Sequence, residues 1–403
     1  MENLSAYEIL MGLCTMIVLS YFFSLVQKAI RMPSVLLLLG TGMLIRWGAH
    51  QAGYAATAPR LLLEALGTIG LIMIVLEASL DLEIRKQHLK LIRAAFTSAL
   101  GNLLVSAVSI TALLYWYFGD MPVANCAAYA LALSVVSSAI VMPSVHHLNK
   151  EKREFLIYES AFSDILGIMA FNFLAENETI GLGEVGWFVG SIPVALVLSV
   201  VLCLALIFLL VRSHIQVKYF LIFAMIIMAY VFGKWMHLPS LIAVMGFGLV
   251  VNNWEFIPYK PLKKYASDDN VQAIADLLRP ITAESAFLIR TFFFLIFGFN
   301  LNPEVLLLPQ VLWVGGAVVI SFVVLRFFYL RILHRERLLP ELFYIPRGLV
   351  TVLLFYKIPD RLKIPEFEEG VLFFVILVSS LVLMLGSILY KDNPVERGPV
   401  TEE

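Results

Sequence analysis

Two carboxylates and two serine hydroxyls fall together inside one otherwise apolar stretch, Tyr158-Glu159-Ser160-Ala161-Phe162-Ser163-Asp164-Ile165-Leu166-Gly167. If that stretch crosses a bilayer, each ionised group costs roughly 2.5–3.5 kcal/mol to place near its centre, so such residues are kept for pairing or for function. At 3.6 residues per turn Glu159 and Ser163 share one stripe of a helix, and Ser160 and Asp164 share the adjacent one. The result is a polar edge that must face the protein interior. Its chemistry is that of oxygen ligands and exchangeable protons: Asp164 reads as a group that takes up and releases an ion, and Glu159 either as a second such group or as half of an internal ion pair.

Two further stretches are suited to such a site. Ser134-Val135-Val136-Ser137-Ser138-Ala139-Ile140-Val141-Met142-Pro143 and Ile345-Pro346-Arg347-Gly348-Leu349-Val350-Thr351 both combine proline with serine or glycine in apolar surroundings. Proline removes a backbone donor and clashes with the preceding turn, and small residues loosen the ladder further. Both helices are therefore expected to break. Broken helices at corresponding places in two halves of a transporter mark an ion site at mid-membrane, and Arg347, beside one break, is a natural partner for Glu159 or Asp164.

The elements that would hold these residues are read from the whole chain. Its 403 residues are 60% hydrophobic and only 15% charged, far more apolar than a soluble domain, and the net charge of −1 excludes nothing. Apolar runs long enough to span predict an all-α integral membrane protein of about thirteen helices, near 6–26, 33–48, 61–80, 94–118, 124–146, 155–175, 186–211, 217–233, 238–252, 284–300, 305–330, 341–357 and 370–390. The first run is expected as a retained helix, since no basic segment precedes it. Most of the 29 lysines and arginines lie in one set of alternate loops, and only Arg46, Arg60, Lys234, Lys357, Arg361 and Lys363 in the other. The basic-loop rule then places the N-terminus outside and the C-terminus in the cytoplasm of the cell (inner) membrane.

An internal repeat is also visible. Met32-Pro33-Ser34 through Gly40-Thr41-Gly42 aligns with Leu238-Pro239-Ser240 through Gly246-Phe247-Gly248, and Ser79-Leu80-Asp81-Leu82-Glu83 echoes Asn300-Leu301-Asn302-Pro303-Glu304. These are the second and ninth helices and the ends of the third and tenth. Counterparts seven helices apart run in opposite directions, which predicts two inverted repeats of six helices with crossing broken helices. Residues 1–254 would hold the first repeat, a linking seventh helix and the start of the second repeat. Residues 255–283 would form a cytoplasmic linker with an amphipathic segment at 271–282, residues 284–390 the remainder of the second repeat, and 391–403 a short cytoplasmic tail.

With these residues in hand the chain resembles the monovalent cation/proton antiporters, closest to the sodium/proton exchanger branch. Glu159, Ser160 and Asp164 resemble that branch's Glu-Ser-x-x-Asn-Asp signature. Pro346-Arg347-Gly348 resembles its Arg-Gly motif, Leu76-Glu77-Ala78-Ser79-Leu80-Asp81-Leu82 its third-helix end, and Phe293-Phe294-Leu295-Ile296-Phe297-Gly298 its tenth-helix run. The chain departs from the branch in having Ser163 before the aspartate and Ser137-Ser138-Ala139 where Thr-Asp-Pro stands, the latter being more like the potassium/proton branch. The resemblance implies exchange of a monovalent cation, sodium or lithium favoured over potassium, for a proton. Asp164 would take proton and cation in turn, with Ser160, Ser163 and Ser137 as candidate oxygen ligands, because hard cations prefer oxygen; Asp164 and Ser160 head the metal-ligand set. It implies that Glu159 pairs with Arg347, that the protein is a homodimer in the lipid bilayer, and that no cofactor is needed beyond the transported ions.

Other features are read more plainly. Glu77 lies either on an access path or at an interfacial helix end, and Arg290 and Arg326 are expected in structural pairs, for instance with Glu284. His146-His147 reads as an interfacial loop and Asn177-Glu178-Thr179 as a chance sequon. Cys14, Cys126 and Cys203 show no paired spacing. No phosphate-binding loop or His-Glu-x-x-His is present, against an ATP-driven pump or zinc protease, and nothing suggests nucleic-acid binding. An intramembrane aspartyl protease needs two facing aspartates, of which only Asp164 is mid-helix; a channel or an inactive scaffold of the same fold is the remaining alternative.

Overall fold

The computed structural model describes residues 6–30, 32–51, 60–82, 89–178, 181–212, 219–236, 238, 240–256, 268–333 and 339–390. The basic loops at 83–88, 213–218 and 334–338, Thr179 of the sequon, Pro239 of the repeat, residues 257–267 of the linker and the tail 391–403 lie outside these. The described residues form fourteen α-helices and no strand: α1 Ala6–Ile30, α2 Ser34–Gln51, α3 Arg60–Asp81, α4 Leu89–Phe118, α5 Val123–Ser134, α6 Ser138–Ser144, α7 Lys150–Glu176, α8 Leu182–Arg212, α9 Tyr219–Trp235, α10 Ser240–Asn252, α11 Asp268–Asn300, α12 Pro309–Leu333, α13 Leu349–Tyr356 and α14 Glu369–Leu389. With α5 and α6 as halves of one broken helix, these match the thirteen predicted spans. Six of them, that broken pair included, are long and apolar enough to cross a bilayer.

Two elements differ from expectation. The amphipathic stretch 271–282 is no separate surface segment but the first turns of α11. Val271, Ile274, Ala275, Leu278 and Thr282 are buried at helical spacing along one face, so the amphipathic periodicity is that of a packed helix, which runs on without a break into the next apolar stretch. The twelfth span has almost no first half: Glu341–Phe343 is a single 3-10 turn, and regular helix begins only at Leu349. Pro346 disfavours helix at Ile345, and Gly348 opens α13 with extended backbone.

The helices pack as two groups. α4, α5, α7, α12 and α14 surround the broken elements, while α1, α2, α3, α8, α9, α10 and α11 form a second layer, and α3 joins the two by packing on α7 and α13. Within the second layer α2 lies on α11 and α10 lies on α3. The approach of α2 to α11 is backbone to backbone: a Cβ on Gly298 would fall 2.4 Å from the Leu39 carbonyl oxygen, and one on Gly42 2.3 Å from that of Leu295. Only glycine allows this contact. Gly298→Ala is therefore expected to push the helices apart and lower the melting temperature of the detergent-solubilised protein, in line with the ~1–3 kcal/mol typical of overpacking; an unchanged melting temperature would contradict the contact.

Candidate functional site

The site is built around the break between α5 and α6. β-branched Val135 and Val136 followed by two serines are weak helix formers, and Val135 and Ser137 are extended, with φ/ψ of −72/124° and −82/114°. Three consecutive amides thereby lose their helical acceptors, and in an apolar interior each must find another. Val136 N–H donates to Ser163 Oγ at 2.9 Å, Ser137 N–H to the Pro346 carbonyl at 2.9 Å, and Ser138 N–H to Asp164 Oδ2 at 3.1 Å. Ser138 Oγ donates a second, short bond to the same oxygen. The polar edge of α7 thus replaces the helical ladder of the broken span, which fixes Asp164 against the first turn of α6.

Asp164 is 2% exposed, and its other oxygen, Oδ1, has no protein partner. Together with Ser138 and Ser79 it borders a cavity of about 10 Å³ closed by Val75, Ala78 and Met245, about the space one water-sized body needs. A larger cavity of about 300 Å³ lies among the ends of α7, α8, α9 and α10, with Asn172, Glu176, Glu184, Tyr230 and Lys234 on its walls. Next to it, Ile165, Met169 and Ile242 are buried against one another in an apolar cluster with Met245 packed on it.

The second break crosses the first. In an unbroken helix Ser137 N–H would bond the Leu133 carbonyl; here that carbonyl accepts from Arg347 Nε at 2.7 Å while Ser137 turns to Pro346. Arg347 Nη1 donates to the Ile345 carbonyl at 3.1 Å, its backbone N–H donates to Ser379 Oγ at 3.0 Å, and its guanidinium lies 3.8 Å over the Phe322 ring. Gly348 permits the crossing, since a Cβ there would meet Ser137 Oγ at 2.6 Å.

The expected Glu159 and Arg347 pair is not formed. Glu159 is gripped instead by Arg326 of α12, with Nη1 and Nη2 donating to its two oxygens at 3.0 and 2.7 Å, and Ser98 Oγ donating at 2.6 Å. All three side chains are buried. The physical reason lies in the breaks: carbonyls stripped of their amides compete for Arg347, and α12 passes close enough for Arg326 to take the carboxylate in the two-pronged geometry a guanidinium favours. The suggested Glu284 partner is also replaced. Arg290 reaches Glu77 at 3.5 Å and the Ala139 carbonyl, in the first turn of α6, at 2.8 Å, while Glu284 accepts from Tyr21 at 2.5 Å. Glu77 is accordingly a largely buried partner of Arg290.

Of the predicted oxygen set, Ser163 and Asp164 are brought onto the break. Ser160 turns its hydroxyl hydrogen back to the Ile157 carbonyl at 3.1 Å, and Ser137 Oγ is buried without a partner. Ser138, which touches Asp164, was not singled out from the sequence. The serine pair was visible, but which of the two faces α7 depends on the residue at which helix resumes.

Comparison with known proteins follows the same lines. A family model described as "Sodium/hydrogen exchanger, transmembrane" matches residues 15–391. No curated protein sequence matches the chain significantly. Among solved structures it is similar to the sodium proton antiporter MjNhaP1 from Methanocaldococcus jannaschii. The structure at pH 8 is 18% identical with a TM-score of 0.64, over 96% of this chain and 99% of that one. An electron-microscopy structure of the same protein is 17% identical with a TM-score of 0.67, over 96% and 95% of the two chains. At these identities the likeness establishes the fold.

Proposed function

Because the chain belongs to the sodium/hydrogen exchanger family and is a multi-pass membrane transporter rather than an enzyme, we propose that it exchanges a monovalent cation, sodium or lithium before potassium, for a proton at Asp164. The observation that carries this is the division of labour between the two Asp164 oxygens: Oδ2 is fixed by Ser138, while Oδ1 is buried without a protein partner in a side chain that borders the small cavity. A proton or a bare cation can take that oxygen, and each excludes the other. Ser160 and Ser137 have lone pairs left to complete a cation's shell, and Ser163 keeps its second lone pair. Glu159, locked to Arg326, takes no part in the exchange.

The exchange is electroneutral in this reading. Ser163 stands where a second carboxylate would add a charge, so the moving site carries either one proton or one monovalent cation and its net charge is the same in both crossings. Membrane voltage, worth about 2.3 kcal/mol per charge per 100 mV, then does no work on the cycle. The protein works as a homodimer with its N-terminus outside and C-terminus in the cytoplasm, built from two inverted repeats; the reciprocal packing of α2 on α11 and α10 on α3 supports the repeat.

Purified protein in vesicles with a lumenal pH dye and an imposed sodium, lithium or potassium gradient tests this. Proton movement is expected with sodium and lithium at rates unchanged by a valinomycin-clamped voltage. Proton flux without a cation gradient, or a rate that changes several-fold with voltage, would overturn the coupled electroneutral cycle.

A further inference from the structure

A third carboxyl group, besides those of Asp164 and Glu159, is buried in the core. Glu341 opens the 3-10 turn that leads into the Ile345-Pro346-Arg347-Gly348 crossing, and it is fully buried at 0% exposure. Neither of its carboxyl oxygens has a hydrogen-bond partner outside its own residue, whose backbone amide is the nearest donor. The turn is packed between α12 and α14. An ionised carboxylate in that position would be an uncompensated buried charge, the least tolerable state for a side chain in a packed interior. The Glu341 carbonyl accepts from Arg326 Nε at 2.7 Å, and Arg326 places Nη1 and Nη2 on the two Glu159 oxygens. One guanidinium therefore neutralises one of two neighbouring carboxyl groups.

The charges facing Glu341 among the described residues are few. Arg326 of α12 and Glu159 of α7 form the closed pair, and Lys152, also of α7, is the remaining cation in electrostatic reach. Lys152 Nζ is engaged elsewhere, donating to the Leu339 carbonyl at 3.2 Å and to the Tyr390 hydroxyl, just beyond α14, and lying over the Tyr390 ring. His147 faces the same turn through Tyr344, whose hydroxyl lies 3.4 Å from His147 Nε2 and 3.2 Å from Ser387 Oγ. Leu339, which accepts from Lys152, is two residues before Glu341, so the Lys152 ammonium is held beside the turn that carries the carboxyl group.

We propose that Glu341 is a second proton-binding site, distinct from Asp164, whose carboxyl group holds its proton in this arrangement and on losing it draws Lys152 away from Tyr390 and Leu339. The step moves one proton from the Glu341 carboxyl to solvent and replaces it with the Lys152 ammonium. Because the turn is continuous with the non-helical segment that gives Pro346 to Ser137, the protonation of Glu341 reaches the crossing that positions Asp164. The site goes beyond the proposed exchange and does not depend on Asp164 being the exchanging group.

Infrared spectroscopy of the full-length protein tests it directly. In an Asp164→Asn background the carboxylic-acid C=O stretch expected from Glu341 at neutral pH should persist, and it should vanish when Glu341→Gln is added. With Glu341 intact, Lys152→Gln should make that band survive to more alkaline pH by at least a several-fold change in proton affinity, because the cation that receives the carboxylate is gone. Should Glu341→Gln fail to fold, Glu341→Met gives the same band comparison, and the Lys152→Gln titration needs no change at Glu341. A band untouched by removal of the Glu341 carboxyl, or a titration untouched by Lys152→Gln, would overturn the proposal. Loss of vesicle exchange in Asp164→Asn is a separate result and bears only on the exchange site.

Discussion

Asp164→Asn should abolish cation-driven proton movement in vesicles, lowering it by at least ~100-fold, the loss of about 2.7 kcal/mol or more in the rate-limiting barrier, while leaving the protein folded. The structure separates these two outcomes. Asparagine keeps a carbonyl oxygen in the place of Oδ2, so it can still accept from Ser138 N–H and Oγ, and the amide freed by the break stays satisfied. What is lost is the titratable charge at the unpartnered oxygen. Asp164→Ala differs: it strands the Ser138 amide in an apolar interior, at about 1–3 kcal/mol for an unsatisfied buried donor, and should lower the melting temperature where Asn does not. Vesicle exchange together with melting of the purified variants checks both. Wild-type exchange by Asp164→Asn would remove Asp164 from the proposed role, and equal melting of Asn and Ala variants would show that the carboxylate does not cap α6.

Much of this arrangement was legible in the sequence for a simple physical reason. In an apolar medium, residues such as Glu159, Asp164 and Arg347 have few permitted roles, and Pro346 or the Val135-Val136-Ser137-Ser138 run has few permitted backbone shapes. Span number, the two breaks and the burial of the α7 carboxylates followed from that. Partner choice did not. Whether Glu159 meets Arg326 or Arg347 depends on which unpaired carbonyls lie nearer each guanidinium, and those carbonyls exist only because two breaks cross. Likewise Ser138 rather than Ser137 meets Asp164 because helix resumes one residue after the Ser137 amide has turned to Pro346. The continuity of α11 from Asp268 was hidden because a polar first turn and Pro280 interrupt a pattern that tertiary packing completes.

The pairing of Glu159 leads to the second large effect. Arg326→Ala should strip Glu159 of both strong donors, leaving it only Ser98, and breaking one side of a buried pair typically costs ~3–5 kcal/mol because the other charge remains. Folded yield in the membrane should fall severely. The remedy follows from the same account: adding Glu159→Gln removes the stranded charge, so the double variant Arg326→Ala/Glu159→Gln should recover most of the yield. Arg347→Ala should also destabilise, but by another route, since it orphans the Leu133 and Ile345 carbonyls and leaves Phe322 uncovered. No charge is stranded there, so Glu159→Gln should give Arg347→Ala no relief. Expression and thermal melting of the three single and two double variants decide between the pairings. If Glu159→Gln rescues Arg347→Ala and not Arg326→Ala, the carboxylate belongs to Arg347 and the geometry described for α12 does not hold in the membrane. Rescue of Arg326→Ala alone would place Glu159 in a fixed pair within the core, leaving Asp164 as the free carboxylate at the crossing.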